Sequence, residues 1–223
     1  MVSIDALVYN LLKLKAPRDF VLTVLLVIWT SGLYDLKEEY DWLEFFAGHA
    51  ANTRCIRLRG FRAAKFDIDY FPKPTGDDID GEACSNFQDI TSHSGFWVCL
   101  LLYLVTACGG TWIVEQPAGS TMEFYPTWRH FVVSLFQLGG VGSVTRAGWY
   151  MGAYFGNSLK RQYAYSNSPA IRRLDKGKLQ MIKARLEKAG NRTKTRRAKP
   201  DKNGKLRYYG TKELKGTETL VWI

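Results

Sequence analysis

The sequence predicts an α/β fold: a Rossmann-like, mostly parallel sheet with an N-terminal helical extension and a basic, partly disordered C-terminal tail. One observation is a succession of strand, turn, helix and strand between Trp42 and Asp69. Another is the helical spacing of apolar residues near the N-terminus. The third is charge: residues 1–157 contain 12 basic and 16 acidic side chains, whereas residues 158–223 contain 19 basic and 5 acidic ones. The chain therefore divides into a helical, apolar segment (1–34), an α/β domain (35–157) and a basic region (158–223).

The composition is that of a globular protein. Of the 223 residues, 46% are hydrophobic and 23% are charged, which excludes a collagen, a coiled coil or a wholly disordered chain. The cysteines Cys55, Cys84, Cys99 and Cys108 form no CxxC pair, and no histidine lies at a ligand-like spacing from them. We therefore predict no metal site. Isolated thiols favour a reducing compartment, so a nuclear or cytoplasmic protein is expected, with a membrane location as the alternative.

The N-terminal extension is predicted to be helical. Leu7 and Leu11 have helical spacing, Pro17 breaks the helix, and Asp19 can cap the next one. The stretch Phe20–Tyr34 contains no charged residue and is shorter than the roughly 20 residues that a membrane span needs. A buried helix is the preferred prediction for it, and a secretory signal or a membrane anchor is the alternative.

The α/β domain begins with a strand-like run that ends in a small-residue turn, Trp42–Ala51. A helix is expected over Asn52–Arg59, followed by a second strand over Ala63–Asp69 that ends in carboxylates. This succession has the size of a β–α–β unit, in which the two strands are parallel. A loop over residues 71–86 and a short strand over Asn86–Ile90 are expected next.

A long apolar stretch occupies the middle of the chain. No Asp, Glu, Lys or Arg occurs between Asp89 and Glu115, so a membrane span over residues 90–114 is one interpretation. The favoured interpretation is a helix over Phe96–Cys108, a stop at Gly109-Gly110 and a buried strand over Thr111–Val114. Mixed helix and loop are expected through the glycine-rich residues 139–156.

The basic region is predicted to bind nucleic acid. Residues 160–167 interleave cations with aromatic side chains, which suits phosphate contacts and base stacking. A basic helix is expected over Ile171–Ala189, and residues 191–216 are expected to be disordered unless a partner orders them. A solvated tail, a nuclear-import signal and a basic helix on an anionic membrane are the alternatives. The candidate contact residues are Lys160, Arg161, Arg172, Arg173, Arg196 and Arg197.

Residues at the ends of the predicted strands have the order that a cofactor with a ribose and an adenine requires. Such a cofactor needs a tight turn, an acid about 20 residues further on for the ribose hydroxyls, and a slot for the adenine. Gly48 supplies the turn, and Asp67 follows it by 19 residues at the end of the second strand. Asp89 and Ile90 end the putative third strand.

Four short motifs lie in this part of the chain: residues 44–48 (EFFAG), 66–69 (FDID), 89–90 (DI) and 115–117 (EQP). Together they resemble the ordered motifs of S-adenosylmethionine-dependent methyltransferases, closest to the cytosine-5 DNA methyltransferase type, over roughly residues 41–120. The resemblance implies that Phe46 and Gly48 lie under the methionine part of S-adenosylmethionine and that Asp67 binds its ribose. It also implies Asp89 and Ile90 beside the adenine. Glu115 then takes the catalytic position near the methyl acceptor.

The departures from that family limit the chemistry. Ala50 replaces the second glycine of the first motif, and no cysteine follows a proline, so the catalytic Pro-Cys loop is missing. The interval from Asp89 to Glu115 is too short for the family's fourth strand, nucleophile loop and next helix, which leaves the completeness of the sheet open. Cytosine-5 chemistry is therefore not predicted. Gln116-Pro117 matches only in part the polar-Pro-Pro-aromatic motif of methyltransferases that modify exocyclic amines.

We predict an S-adenosylmethionine-binding, methyltransferase-like protein that acts on or binds nucleic acid, either as an enzyme or in a catalytically degenerate form. One alternative is a non-enzymatic nucleic-acid-binding protein that uses its basic tail. The other is a small membrane protein with apolar segments 20–34 and 90–114.

Overall fold

The computed structural model of the chain describes residues 2–31, 39–45, 50–66, 94–154, 156, 158–188, 190 and 196–210. Over these residues the protein is mixed α/β and divides into two compact units. The first unit is formed by the described residues up to Trp112 together with Thr121–Ser143. The second is formed by Ile113–Ser120 and by the described residues from Val144 onward.

The first unit contains most of the helices. In chain order the elements are α1 (Ile4–Lys13), α2 (Arg18–Ser31), β1 (Trp42–Phe45), α3 (Ala51–Leu58), β2 (Ala63–Phe66), α4 (Ser94–Ala107) and α5 (Pro126–Gly139). Gly109, with φ +74°, follows α4, in agreement with the glycine stop expected from the sequence.

Large side chains from α1, α4 and α5 form the core of the first unit. Leu11, Tyr103 and Phe131 are fully buried, and the rings of Tyr103 and Phe131 meet edge to face with centroids 4.8 Å apart. Trp112 and Trp128 both pack against Phe131. Burying a side chain of this size contributes about 1.5–3 kcal/mol relative to leaving it exposed, so this cluster is the main source of stability for the helical part.

One side of α2 is exposed although its sequence is apolar. Val21 and Val24 are buried, whereas Leu22, Leu26 and Trp29 are 53%, 56% and 78% exposed. The expectation of a buried helix is therefore right for one side of α2 only. Within the described ranges, no helix has both the length and the apolar character needed to cross a membrane.

β1 and β2 form a parallel pair, in which Trp42 lies opposite Ala63 and Phe45 lies opposite Phe66. α3 connects the two strands and packs against both. The Arg57 guanidinium fastens the helix to the second strand, because its Nε and Nη2 donate to the Ala63 carbonyl oxygen at 2.8 and 2.6 Å. The β–α–β unit predicted from the sequence is thus present over residues 42–66.

A second, antiparallel sheet corrects the expectation of one mostly parallel sheet. Its strands, in the spatial order β3–β5–β4, are β3 (Ile113–Pro117), β5 (Arg161–Ser166) and β4 (Thr145–Tyr150). Both outer strands run antiparallel to β5. The strand that contains Glu115 therefore pairs with a strand of the basic region, and among the described strands only β1 and β2 are parallel. Antiparallel pairing needs no helical crossover, and only the ten residues 151–160 separate β4 from β5.

The core of the second unit lies on one face of this antiparallel sheet. Ala147 and Trp149 of β4 and Ala164 of β5 point to that face and are buried. Ile171 and Leu174 cover them from a 3₁₀ turn over residues 169–174. Because successive side chains of a strand point to opposite faces, residues 146 and 148 of β4 and residues 161 and 163 of β5 point to the other face of the sheet.

Two helical expectations for the second unit need correction. The glycine-rich residues 139–156, expected to be helix and loop, contain β4. The basic helix expected from Ile171 begins only at Leu179, as α6 (Leu179–Lys188), because a 3₁₀ turn and Gly177 with φ +112° precede it.

Part of the segment expected to be disordered forms a hairpin of β6 (Arg196–Pro200) and β7 (Leu206–Gly210). Asp201 closes its turn, since the carboxylate accepts the backbone N–H of Asn203 and that of Lys205, each at 2.9 Å. The sequence signal for this hairpin is its Asp-x-Asn-Gly turn, in which Gly204 has φ +74°, and the high charge of the segment had instead favoured disorder.

Candidate cofactor site and nucleic-acid interface

The two parallel strands end at the same edge of their sheet. β1 ends at Phe45 and β2 ends at Phe66, and these two residues lie opposite each other, with stacked rings whose centroids are 5.2 Å apart. Phe46 and Asp67 directly follow the ends of β1 and β2, and Gly48 lies two residues after Phe46. Asp89 and Ile90 belong to the next predicted strand. All five of these predicted cofactor residues lie outside the described residues. The structure therefore describes the strand ends that precede Phe46 and Asp67, but not the side chains of the five predicted cofactor residues.

The N-terminus of α3 is held by a carboxylate of β1. Glu44 Oε2 accepts hydrogen bonds from the Thr53 backbone N–H at 2.7 Å and from the Thr53 hydroxyl at 2.5 Å. Glu44 Oε1 accepts a third bond from the Asn52 side-chain amide at 3.1 Å. The carboxylate thus satisfies one backbone N–H group that a helix start leaves unpaired, and its charge complements the positive end of the helix dipole.

Ala50 precedes α3 in a left-handed conformation, with φ 51° and ψ 43°, and is only 1% exposed. Residues other than glycine rarely adopt this conformation. The connection after β1 therefore keeps a glycine-like turn at the position where the resembled family has its second glycine.

Glu115 belongs to the second unit and not to the unit that contains β1 and β2. It is an exposed residue in the middle of β3, opposite Ala164 of β5, and it has an interaction partner within the chain. An exposed carboxylate is able to take up a proton from a molecule that binds next to it.

Two of the cysteines, Cys99 and Cys108, are poor nucleophiles. Cys99 is buried in α4, and desolvation raises the pKa of its thiol to about 12. Burial also raises the pKa of the Cys108 thiol, at the end of α4. Because the thiolate is the reactive form, neither residue supplies a ready nucleophile at neutral pH. Cys55 is half-buried in α3, and Cys84 lies outside the described residues.

A basic and aromatic surface lies on the face of the antiparallel sheet opposite to the core of the second unit, where Tyr165 and Gln116 are buried and Arg146 and Arg161 are exposed. We call it the Arg–Tyr face and define it by Arg146, Tyr150, Arg161 and Tyr163. The guanidinium carbons of Arg146 and Arg161 lie 4.9 and 5.1 Å from the centroid of the Tyr163 ring. Arg161 also lies 5.8 Å from the Tyr150 ring. Two cations thus lie close to two half-exposed aromatic rings within cation–π range.

Gly148 leaves space for Arg161 and Tyr163 because it has no side chain. It lies opposite Tyr163 in the sheet, and a Cβ atom there would be 3.2 Å from Arg161 Nη2 and 3.4 Å from Tyr163 Cε1. The guanidinium and the ring therefore lie close above the backbone of β4, where a larger side chain would displace them.

A buried amide lies in the same row of the sheet. Gln116 of β3 is opposite Tyr163 and is 7% exposed. Over the described part of the chain, neither its side-chain nitrogen nor its oxygen has a hydrogen-bond partner. An unpaired buried amide costs folding free energy, which makes Gln116 the polar group of this sheet that is least well accounted for by the fold.

The predicted nucleic-acid contacts are distributed over three elements of the second unit. Arg161 begins β5 and Lys160 directly precedes it. Arg172 and Arg173 are exposed on the 3₁₀ turn, and the position of Arg196 is given only by its backbone in β6. Sequence reasoning missed Arg146 and Tyr150, although the alternation in residues 145–150 (TRAGWY) is a strand signal.

The hairpin β6–β7 has a basic side. Arg197 lies opposite Tyr209, and Lys199 lies opposite Arg207, so these four residues share one face of the ribbon. Arg207 Nε also contacts Asp201 Oδ2 at 3.1 Å. A ribbon with this charge is typical of contacts to phosphates, whatever their sequence.

No protein-family model, no curated protein and no solved structure matches this chain.

Proposed function

We propose that this chain is an S-adenosylmethionine-binding, methyltransferase-like protein that acts on or binds nucleic acid. The observation that supports the proposal most is the parallel β1–α3–β2 unit, whose strands end together directly before Phe46–Gly48 and Asp67. In open α/β sheets, ligands bind outside the carboxyl ends of parallel strands. A Rossmann-like cofactor site is therefore proposed at this edge, with Asp89 and Ile90 beside the adenine.

The Glu44 contact favours this cofactor over a nucleotide. Cofactors that bind through phosphates commonly place them at a helix N-terminus. Here the N-terminus of α3 is already occupied by the Glu44 carboxylate, which repels a second anion. S-adenosylmethionine has no phosphate and has a positively charged sulfonium, so it fits a turn next to a carboxylate.

In the proposed reaction, S-adenosylmethionine supplies an electrophilic methyl group when bound. The chain's own part is to bind the cofactor through Asp67 and to hold an acceptor nucleic acid through the cations of the second unit. Glu115 is the proposed proton acceptor for a nitrogen nucleophile of that acceptor. Because Cys99 and Cys108 are neutral thiols at physiological pH, no thiolate attack is included in this scheme.

Calorimetric titration of the purified full chain with S-adenosylmethionine and with its demethylated product tests the proposal. We expect a Kd of about 1 μM, equivalent to about −8 kcal/mol. Asp67→Asn is expected to weaken binding by at least about tenfold, because it removes the charge that accepts from the ribose hydroxyls. Asp69→Asn is the matched control and is expected to change binding less than about twofold. A folded protein that binds neither ligand contradicts the proposal, and so do equal effects of the two substitutions.

A second candidate function is nucleic-acid binding without methyl transfer. The Arg–Tyr face and the basic side of the hairpin favour it, because both present cations that do not depend on the cofactor edge. This candidate predicts nucleic-acid binding that weakens steeply with salt and that is unchanged by Asp67→Asn.

A further inference from the structure

We infer that the Arg–Tyr face binds an unpaired segment of nucleic acid, with bases stacked on Tyr163 and Tyr150 and phosphates contacted by Arg161 and Arg146. The inference rests on the proposed function in taking nucleic acid as the partner, and it adds that the strand is single at the point of contact.

The first argument is the position of the two rings. Tyr163 lies opposite Gly148, and Tyr150 lies opposite Arg161, so the tyrosines are diagonal neighbours on adjacent strands. Diagonal neighbours of this kind are about 7–8 Å apart, which leaves two separate ring surfaces on one flat sheet. Because the Gly148 position has no side chain, the Tyr163 ring lies close over the backbone of β4. Stacking of successive bases on aromatic side chains is the usual sequence-tolerant mode of single-strand binding.

The second argument is the charge beside the rings. Arg161 is exposed and lies against both Tyr150 and Tyr163. Its guanidinium contacts the rings through cation–π interactions, which leave its N–H groups able to donate to a phosphate. The contacts with the rings also hold the guanidinium plane near the sheet, which lowers the entropy that a phosphate contact has to offset.

The third argument excludes the groove of a duplex as the main target. Three strands at about 4.8 Å spacing extend about 10 Å between the outer backbones, before their side chains are added. A major groove about 12 Å wide accommodates a helix or a two-stranded ribbon, but not a face of this width. A duplex also hides the base faces, so it would contact the arginines and leave both tyrosine rings without a stacking partner.

Fluorescence anisotropy with the full chain tests the inference. The probes are a labelled single strand of mixed sequence, about 12 nucleotides long, and the same strand annealed to its complement. We expect the single strand to bind at least about tenfold more tightly than the duplex at equal salt, because each stacked base adds free energy that the duplex cannot supply. Tyr163→Leu is expected to weaken single-strand binding about five- to hundredfold and to leave duplex binding and the salt dependence unchanged.

Two variants separate stacking from misfolding. Tyr163→Phe keeps the ring and is expected to retain single-strand binding. Tyr9→Leu makes the same change at an exposed position of α1, in the first unit and outside both basic surfaces, and is expected to leave the preference for single strands intact.

Equal affinity for the two probes overturns the inference, and so does a Tyr163→Leu variant that binds both probes as the wild type does. A Tyr163→Phe variant that loses binding as Tyr163→Leu does also counts against stacking. Titration of the same preparation with S-adenosylmethionine reports separately on the proposed cofactor site, so a failure there is distinguishable from a failure of the Arg–Tyr face.

Discussion

Replacement of Glu44 by alanine removes one carboxylate that joins β1 to the start of α3. The three hydrogen bonds that it accepts come from the Thr53 N–H, the Thr53 hydroxyl and the Asn52 side chain. Thr53 is 1% exposed, so water cannot easily replace the lost acceptor for its two groups. The substitution therefore leaves buried donors unpaired as well as deleting the bonds themselves.

The size of the effect follows from these contacts. An unsatisfied buried donor costs about 1–3 kcal/mol, and the loss of a negative charge at a helix N-terminus costs a further 0.3–1 kcal/mol or so. Because Glu44 is only half-buried and the donors can relax toward solvent, we expect Glu44→Ala to lower the free energy of unfolding by about 2–4 kcal/mol. Glu44→Gln keeps one acceptor oxygen and is expected to cost about 1 kcal/mol.

Urea denaturation followed by circular dichroism measures these values. A double-mutant cycle with Thr53→Val isolates the Glu44–Thr53 interaction and is expected to give a coupling of about 1–2 kcal/mol. Glu39→Gln is the control, because its contact with Arg62 at 3.4 Å joins two well-exposed side chains and is expected to contribute less than about 0.5 kcal/mol. Because Phe46 and Gly48 of the proposed cofactor site lie in the sequence between Glu44 and Thr53, S-adenosylmethionine binding is expected to weaken in Glu44→Ala under conditions where the protein is still folded.

The argument fails if Glu44→Ala changes the free energy of unfolding no more than Glu39→Gln does. It also fails if the cycle shows no coupling between Glu44 and Thr53, because the hydrogen bonds would then contribute nothing to stability.

Three further outcomes are expected. Gln116→Leu is expected to raise the free energy of unfolding by about 1 kcal/mol, because it removes a buried amide without partners among the described residues. Urea denaturation measures this change. A loss of stability would show that the amide is hydrogen-bonded in solution. Cys99 is expected to stay unmodified by iodoacetamide at about pH 8 in the folded protein, because burial raises the pKa of its thiol to about 12. In urea the same thiol is expected to be alkylated, and peptide mass spectrometry distinguishes the two states. Labelling of Cys99 in the folded state contradicts its burial. The N–H groups of Lys205 and Asn203, and the Arg207 side chain, lower the pKa of Asp201, so its contribution to the hairpin is present above about pH 4 and disappears as the pH falls through the folded-state pKa. Backbone amide shifts of these two residues that do not titrate with Asp201 would refute that assignment.

Local patterns predicted the parts of the fold that depend on neighbouring residues. The β1–α3–β2 unit was predicted because Gly60 ends the helix and apolar residues mark both strands. The helix α4 was predicted from its uninterrupted apolar run and from Gly109. These signals act within a few residues, so no knowledge of the tertiary partner was needed.

Strand pairing at long range was not predicted. β3 pairs with β5, which begins at Arg161, and no local pattern specifies a partner so far along the chain. The Arg–Tyr face was found only in part for the same reason. The alternation of Arg161 and Tyr163 is visible in the sequence, but the contribution of Arg146 depends on the register of β4 against β5.

The left-handed backbone at Ala50 has a consequence for how this turn can change during evolution. An alanine in that conformation is strained by about 1–2 kcal/mol relative to glycine, and burial of its methyl group offsets part of that strain. The turn therefore has a backbone conformation that glycine adopts more easily than alanine does. Since alanine and glycine codons differ at a single nucleotide, a glycine at this position is one mutation away, and the backbone would accept it without rearrangement.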